Sequence, residues 1–189
     1  MKKPIFIAEI KTQSPFGFKS GHTFVALMNM AIRHGDWVSV HTNALWGGDY
    51  NAISLVRKNT TKPILAKGIH ATDDDIERAI DHGADYVLVV DRIPTLHLLS
   101  KCLLEFSNMD DLVKCNELCA SSAFSMKYVY NMRDIKNGLP RKINELNDYI
   151  GEAPWLCQAS GIRSFHDVFP MVDAFIVGEH LPLFCDGLL

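Results

Sequence analysis

The chain has 189 residues, 48% apolar and 22% charged, a composition typical of a water-soluble fold and enough material for one sizeable core. A net charge of −3 with no Lys/Arg block argues against nucleic acid as a partner, while leaving room for one small phosphate. No apolar run approaches the ~20 residues of a membrane span, and Met1-Lys2-Lys3-Pro4 is too short to open a signal peptide, so the expected location is the cytoplasm, with no membrane partner.

Strands and helices alternate along the chain. The first strand is predicted over residues 4–11, followed by a helix over 23–34 with Phe24, Leu27, Met28 and Ala31 at helical spacing and Gly35 as its stop. A strand over 37–42, a Gly47-Gly48 turn and a helix opened by Asp49 and running to about residue 58 come next. The third strand is 63–67. Its helix begins at Thr72-Asp73-Asp74-Asp75, acidic where the helix dipole is positive, and ends at His82-Gly83. The fourth strand, 86–90, is rich in β-branched valine.

The fifth strand has two candidate positions. Residues 103–106 look strand-like but leave little room for a crossover helix, so the spacing favours a helix over 94–107 and a strand over 112–116. A short helix over 117–124, a strand over 128–131, a helix over 141–150, a strand over 155–159, a helix after Ser164 and a strand over 174–177 complete the series. This pattern predicts a single compact (β/α)8 barrel over residues 1–189, with a doubly wound open sheet as the alternative. The dozen residues after the last strand contain Pro182 and Gly187. They predict an incomplete final helix and an apolar seam open to a partner subunit, hence a homo-oligomer.

Five cysteines, an odd number with no CxxC pair, predict reduced, buried thiols rather than a metal site, although Cys115 and Cys119 stand one helical turn apart.

The chemistry collects at the predicted strand ends, where barrels of this kind carry their active sites. Glu9 and Lys11 lie two residues apart, so both point to the same side of the first strand, just before the Ser14-Pro15-Phe16-Gly17 turn. The second strand contributes Thr42 and, beyond it, Trp46; the third contributes Lys67; the preferred fifth contributes Lys114. The sixth gives Asn131 and Arg133, the seventh Ser160-Gly161 and the eighth Gly178-Glu179. Three lysines and an arginine at one mouth require an anion among them, and glycine-bearing turns after the last two strands suit phosphate on backbone N–H groups.

In these residues the chain resembles the indole-3-glycerol phosphate synthase family. The shared motifs are Ala8-Glu9-Ile10-Lys11 with Ser14-Pro15, Pro63-Ile64-Leu65-Ala66-Lys67, Gly83-Ala84-Asp85, Asn131-Met132-Arg133-Asp134, Ala159-Ser160-Gly161-Ile162 and Phe175-Ile176-Val177-Gly178-Glu179, in order and over nearly the whole chain. The resemblance implies a carboxy-lyase of tryptophan biosynthesis. Such an enzyme closes the ring of a carboxyphenylamino-deoxyribulose phosphate with loss of CO2 and water, and needs no metal or organic cofactor. By position, it implies Lys67 as the general acid and Lys11, with Glu9 beside it, as the holder of the substrate carboxylate and an aid to dehydration. Asn131 and Arg133 would position the substrate, Ser14 and Trp46 would line its site, and Ser160-Gly161 and Gly178-Glu179 would grip the phosphate. Burial within a cationic cluster would lower the affinity of Lys67 for its proton.

The chain also departs from the family. Ala159 and Gly68 stand where the family has carboxylates, and the family's catalytic glutamate becomes Lys114 on the preferred fifth strand or Glu105 on the other. The sequence begins almost at its first strand, so the family's N-terminal helix over the mouth is expected to be missing. These departures leave two alternatives: a barrel of the same lineage acting as lyase or isomerase on another phosphorylated substrate, or a non-catalytic phosphate-binding subunit.

Overall fold

Eight short extended segments pair in parallel, each with the next in sequence. In the computed structural model, which describes residues 3–120, 124–134, 136–141 and 143–188, they are β1 (Ile5–Ile10), β2 (Trp37–His41), β3 (Ile64–Lys67), β4 (Tyr86–Val90), β5 (Cys102–Glu105), β6 (Lys127–Asn131), β7 (Leu156–Ala159) and β8 (Ala174–Val177). β8 also pairs with β1, Ile5 opposite Ala174 and Ala8 opposite Val177, so the sheet closes on itself. The fold is the (β/α)8 barrel expected from the sequence, ringed by helices α1 (Phe24–His34), α2 (Tyr50–Arg57), α3 (Asp73–Asp81), α4 (Leu96–Leu99), α5 (Met109–Leu118), α6 (Ile143–Glu152) and α7 (Leu181–Asp186). None of the described helices is long and apolar enough to cross a membrane.

Helix starts are set by side-chain caps. Thr23 accepts from the Ala26 N–H, Asp49 from the Ala52 N–H, and Thr72 with Asp75 forms a reciprocal capping box, each cap worth about 1 kcal/mol. Alternation along the strands makes two cores. Ile7, Leu65, Leu88, Leu103, Val129 and Ile176 fill the barrel, while the intervening Phe6, Ala8, Val38, Val40 and Val87 face the helices.

The fifth strand is Cys102–Glu105, not residues 112–116. Its crossover is a single turn, α4, shorter than the helix assumed when counting residues between strands. Residues 112–116 lie instead in α5, opened by Asn108, whose Oδ1 accepts from the Asp111 N–H at 3.0 Å, and packed through buried Leu112 and Cys115. The short helix predicted over 117–124 is partly the end of α5; residues 121–123 lie outside the described residues. After Ser164 there is one 3-10 turn, Phe165–Asp167, where a full helix was predicted.

The final helix is short, as expected, with one side packed on the barrel and Leu183 exposed on the other. Leu181, Phe184 and Cys185 are buried, and the Phe184 ring packs against Phe6, Phe175 and Phe165 at centroid distances of 4.9–5.6 Å. All five cysteines are free and buried.

Candidate active site

At the carboxyl ends of the strands, the inward-facing positions become polar. The period-two alternation that points Ile7, Leu65, Leu103 and Val129 into the barrel puts Glu9, Lys67, Glu105 and Asn131 one step higher on the same face. His41 joins this layer from β2, opposite Lys67 in the β2–β3 register. All five are buried, Glu9 at 4% exposure and Lys67 at 9%.

Buried charge is tolerable only when paired, and here it is. The Lys67 ammonium donates to Glu9 Oε1 at 3.2 Å, and His41 Nε2 meets the same oxygen. Asn131 donates through Nδ2 to Glu105 Oε1 at 3.0 Å, while its Oδ1 accepts from Ser160 Oγ at 2.6 Å and from the Arg133 N–H at 3.2 Å. Glu105 Oε2 is buried with no partner among the described residues. The turn after β8 needs a glycine, because a Cβ at Gly178 would collide with the Glu9 carboxylate.

The two carboxyls are driven in opposite directions. Burial alone would raise the Glu9 pKa, but Lys67, His41 and Lys11 outweigh it and hold Glu9 well below the usual carboxylate range. Burial pushes Glu105 above that range, against the opposing pull of Lys67 and Asn131. Glu9 is thus held as an anion, while burial raises the proton affinity of Glu105, which suits it to take up a proton as a general base.

Lys67 corrects the sequence reading. Burial alone would lower it, but Glu9 and Glu105 hold it above the ordinary lysine value, so it stands as a charged ammonium. The expected cationic cluster is in fact balanced. Lys11 Nζ donates to Glu179 Oε1 at 2.9 Å, and the Arg133 guanidinium reaches both Glu179 oxygens at 3.0 and 3.4 Å. Burial raises the Glu179 carboxyl, but these two cations more than offset it and hold it low.

Above this layer lie two adjoining clefts. One, of about 530 Å³, is bounded by Phe16, Trp46, Ile69 and Leu88 on its apolar sides. The other, of about 340 Å³, is bounded by Gly161, Gly178, Glu179 and His180. Lys11, Lys67, Arg133 and Ser160 border both. Ser160 and Gly161 both have positive φ, 69° and 75°, which turns the chain sharply at the edge of the second cleft.

The structure therefore brings together Glu9, Lys11, Lys67, Asn131, Arg133, Ser160, Gly161, Gly178, Glu179 and, in the apolar cleft, Trp46. Lys114 is not among them: it is exposed on α5, because the strand it was assigned to is a helix, and Glu105 takes the strand-end place. Ser14 lines neither cleft; its Oγ accepts from the Phe18 N–H at 3.4 Å and shapes the loop after β1. Thr42 is directed to Lys67 O and His70 Nε2 rather than to the clefts. Sequence reasoning missed His41 and His180. The signal for His41 was available in the spacing Trp37, Ser39, His41, one face of a strand.

Comparison with known proteins agrees with this geometry. The model of the family described as indole-3-glycerol phosphate synthase matches residues 1–183. The chain belongs to the indole-3-glycerol phosphate synthase family. It is 24% identical over 197 residues to the tryptophan biosynthesis protein TrpCF of Buchnera aphidicola, an alignment covering 95% of this chain and 43% of that protein. It is 31% identical over 147 residues to the indole-3-glycerol phosphate synthase of Campylobacter hominis, covering 70% of this chain and 56% of the relative. The chain thus spans about half the length of these two relatives. Among solved structures it is similar to 3-hexulose-6-phosphate synthase from Salmonella typhimurium, with a TM-score of 0.69 at 20% identity over 93% of this chain and 89% of the other, a likeness of fold.

Proposed function

We propose that this family member closes the indole ring of 1-(2-carboxyphenylamino)-1-deoxyribulose 5-phosphate, as a carboxy-lyase of the indole-3-glycerol phosphate synthase type. One observation supports this most strongly. A charged, buried lysine, Lys67, paired with Glu9 and under the charge of Glu105, borders both an apolar cleft and a polar one. That arrangement suits a ligand that is an aromatic ring at one end and a phosphorylated polyol at the other, with the reacting carbonyl between them.

In this reading the aryl ring lies against Trp46 and Phe16, its carboxylate turns to Lys11 and Arg133, and the phosphate sits at the Ser160-Gly161 and Gly178-Glu179 turns. Lys67 gives a proton to the ketone oxygen as the ring carbon bearing the carboxylate attacks the ketone carbon. The new carbon–carbon bond forms, and CO2 leaves from the same ring carbon. The electron pair it leaves behind restores aromaticity. The hydroxyl then departs as water on a proton from Lys11, while Glu105 takes the proton from the carbon beside the nitrogen. Asn131, bonded to Glu105 and Ser160, holds that base in place. One proton enters from solvent to balance the lost carboxylate charge. Glu105 supplies the carboxylate base that the Lys114 assignment would have removed.

Ala159 and Gly68, where the resemblance places carboxylates, favour a second reading: a barrel of the same lineage that takes a different phosphorylated substrate or only binds one. The discriminating experiment supplies the carboxyphenylamino substrate and measures CO2 and indole fluorescence together. One CO2 per fluorescent product is the expected result. Saturable binding of indole-3-glycerol phosphate without CO2 release would replace the first reading with the second.

A further inference from the structure

His41 stands in the buried layer, and the reaction above does not use it. Its ring is held from two sides. Nε2 meets Glu9 Oε1, and the ring face lies against the Trp46 indole, with centroids 5.7 Å apart and planes within 8°. The loop carrying Trp46 can fold onto the strand end because residue 48 is glycine; a Cβ there would run into the His41 carbonyl.

Because Nε2 faces a carboxylate, it carries the hydrogen and donates, leaving Nδ1 as a bare acceptor. Nδ1 is buried and has no hydrogen-bond partner among the described residues. Buried acceptors are rarely left unpaired in native proteins, and such an exception at a site calls for a partner the protein itself does not supply. His41 lines the apolar cleft together with Trp46, Phe16 and Ile69, where the aryl ring of the proposed substrate lies.

We propose that His41 Nδ1 accepts a hydrogen bond from the amine of an arylamine carboxylate bound in the apolar cleft, making His41 a specificity-determining residue that selects ligands carrying that N–H. The inference rests on the reading that this cleft takes the 2-carboxyphenyl ring.

The test compares anthranilate with benzoate, which share ring and carboxylate and differ in the amine, by titration calorimetry. Wild-type protein is expected to prefer anthranilate by roughly tenfold, the worth of one hydrogen bond to a buried acceptor. His41→Gln keeps an amide donor for Glu9 but removes the Nδ1 acceptor; His41→Phe keeps a ring on Trp46 and removes both nitrogens. In each the preference should vanish. With 15N-labelled histidine, the Nδ1 resonance assigned to His41 should move with anthranilate and stay with benzoate. Equal affinity of wild type for the two, or a preference that survives in whichever variant folds, overturns the inference and leaves the substrate reading standing. Binding of neither compound overturns the aryl-cleft reading and the inference together.

Discussion

At the amino-terminal end of the barrel, Trp37 stacks on Tyr86 at 4.6 Å and lies 6.3 Å from Trp155, and Asp36, Asp85 and Asp173 accept the N–H groups of Phe6, Ile64 and Leu156 at 2.8–3.0 Å. At the carboxyl-terminal end the same strands present Glu9, His41, Lys67, Glu105 and Asn131, with Glu105 Oε2 and His41 Nδ1 buried and unpartnered among the described residues. The first end is closed by ring contacts and charge-assisted bonds to the backbone, which fix the strands and leave little unsatisfied. The second keeps polar atoms in reserve. The barrel thus places its stabilising contacts at one end and its costly buried polar groups at the other, the division expected of this fold.

Substitutions at the two ends should therefore separate activity from stability. The largest effect is expected for Lys67→Met, which removes the proposed proton donor: turnover should fall about 10²–10⁴-fold, with a cooperative melting curve and binding of indole-3-glycerol phosphate largely retained. Glu105→Gln should lower turnover by about 10²-fold and remove the acidic limb of the pH–rate profile. It should also raise the melting temperature at neutral pH. The sign follows from the raised pKa of Glu105: the folded chain holds a proton that the unfolded chain has already released, so stability from this group is present at low pH and is lost as pH rises through the folded value. Calorimetric melts of wild type and variant across that range check the direction. Lower stability of the glutamine variant at neutral pH would place Glu105 among the supporting groups.

Trp37→Ala at the opposite end should do the reverse. A loss of about 3–5 kcal/mol in chemical denaturation should leave turnover per folded molecule unchanged, and a drop in turnover would show that the two ends are coupled. The smallest effect is expected for Glu179→Gln. Freed of this carboxylate, Lys11 and Arg133 should bind benzoate or anthranilate a few-fold more tightly, as fits partly exposed ion pairs worth about 0.2–1 kcal/mol.

Much of this architecture was readable in the sequence because the physical signals were local. Tyr86–Val90 and Ala174–Val177 are short, apolar on both faces and bounded by turns, and they are strands with the bounds predicted. The period-two spacing of Glu9 and Lys11, and the place of Lys67 and Asn131 at strand ends, likewise located most of the site. The fifth strand was misplaced because crossover length was counted as if each crossover held a full helix, and α4 is a single turn. That one shift exchanged Glu105 for Lys114 and turned a balanced site into a cationic one. The proton affinity of Lys67 was beyond local reading altogether. It depends on Glu9 and Glu105, 58 and 38 residues away in sequence, and only closure of the barrel brings these charges to bear on it.

In the proposed reaction the buried Lys67, held charged by Glu9 and Glu105, drives ring closure. The most direct test of that role is the rise of indole fluorescence from 1-(2-carboxyphenylamino)-1-deoxyribulose 5-phosphate with wild-type protein and with Lys67→Met at matched folded concentration. Steady product formation is expected in the first and a near-complete loss in the second. Equal rates in the two, or no product from folded wild type, would contradict that role.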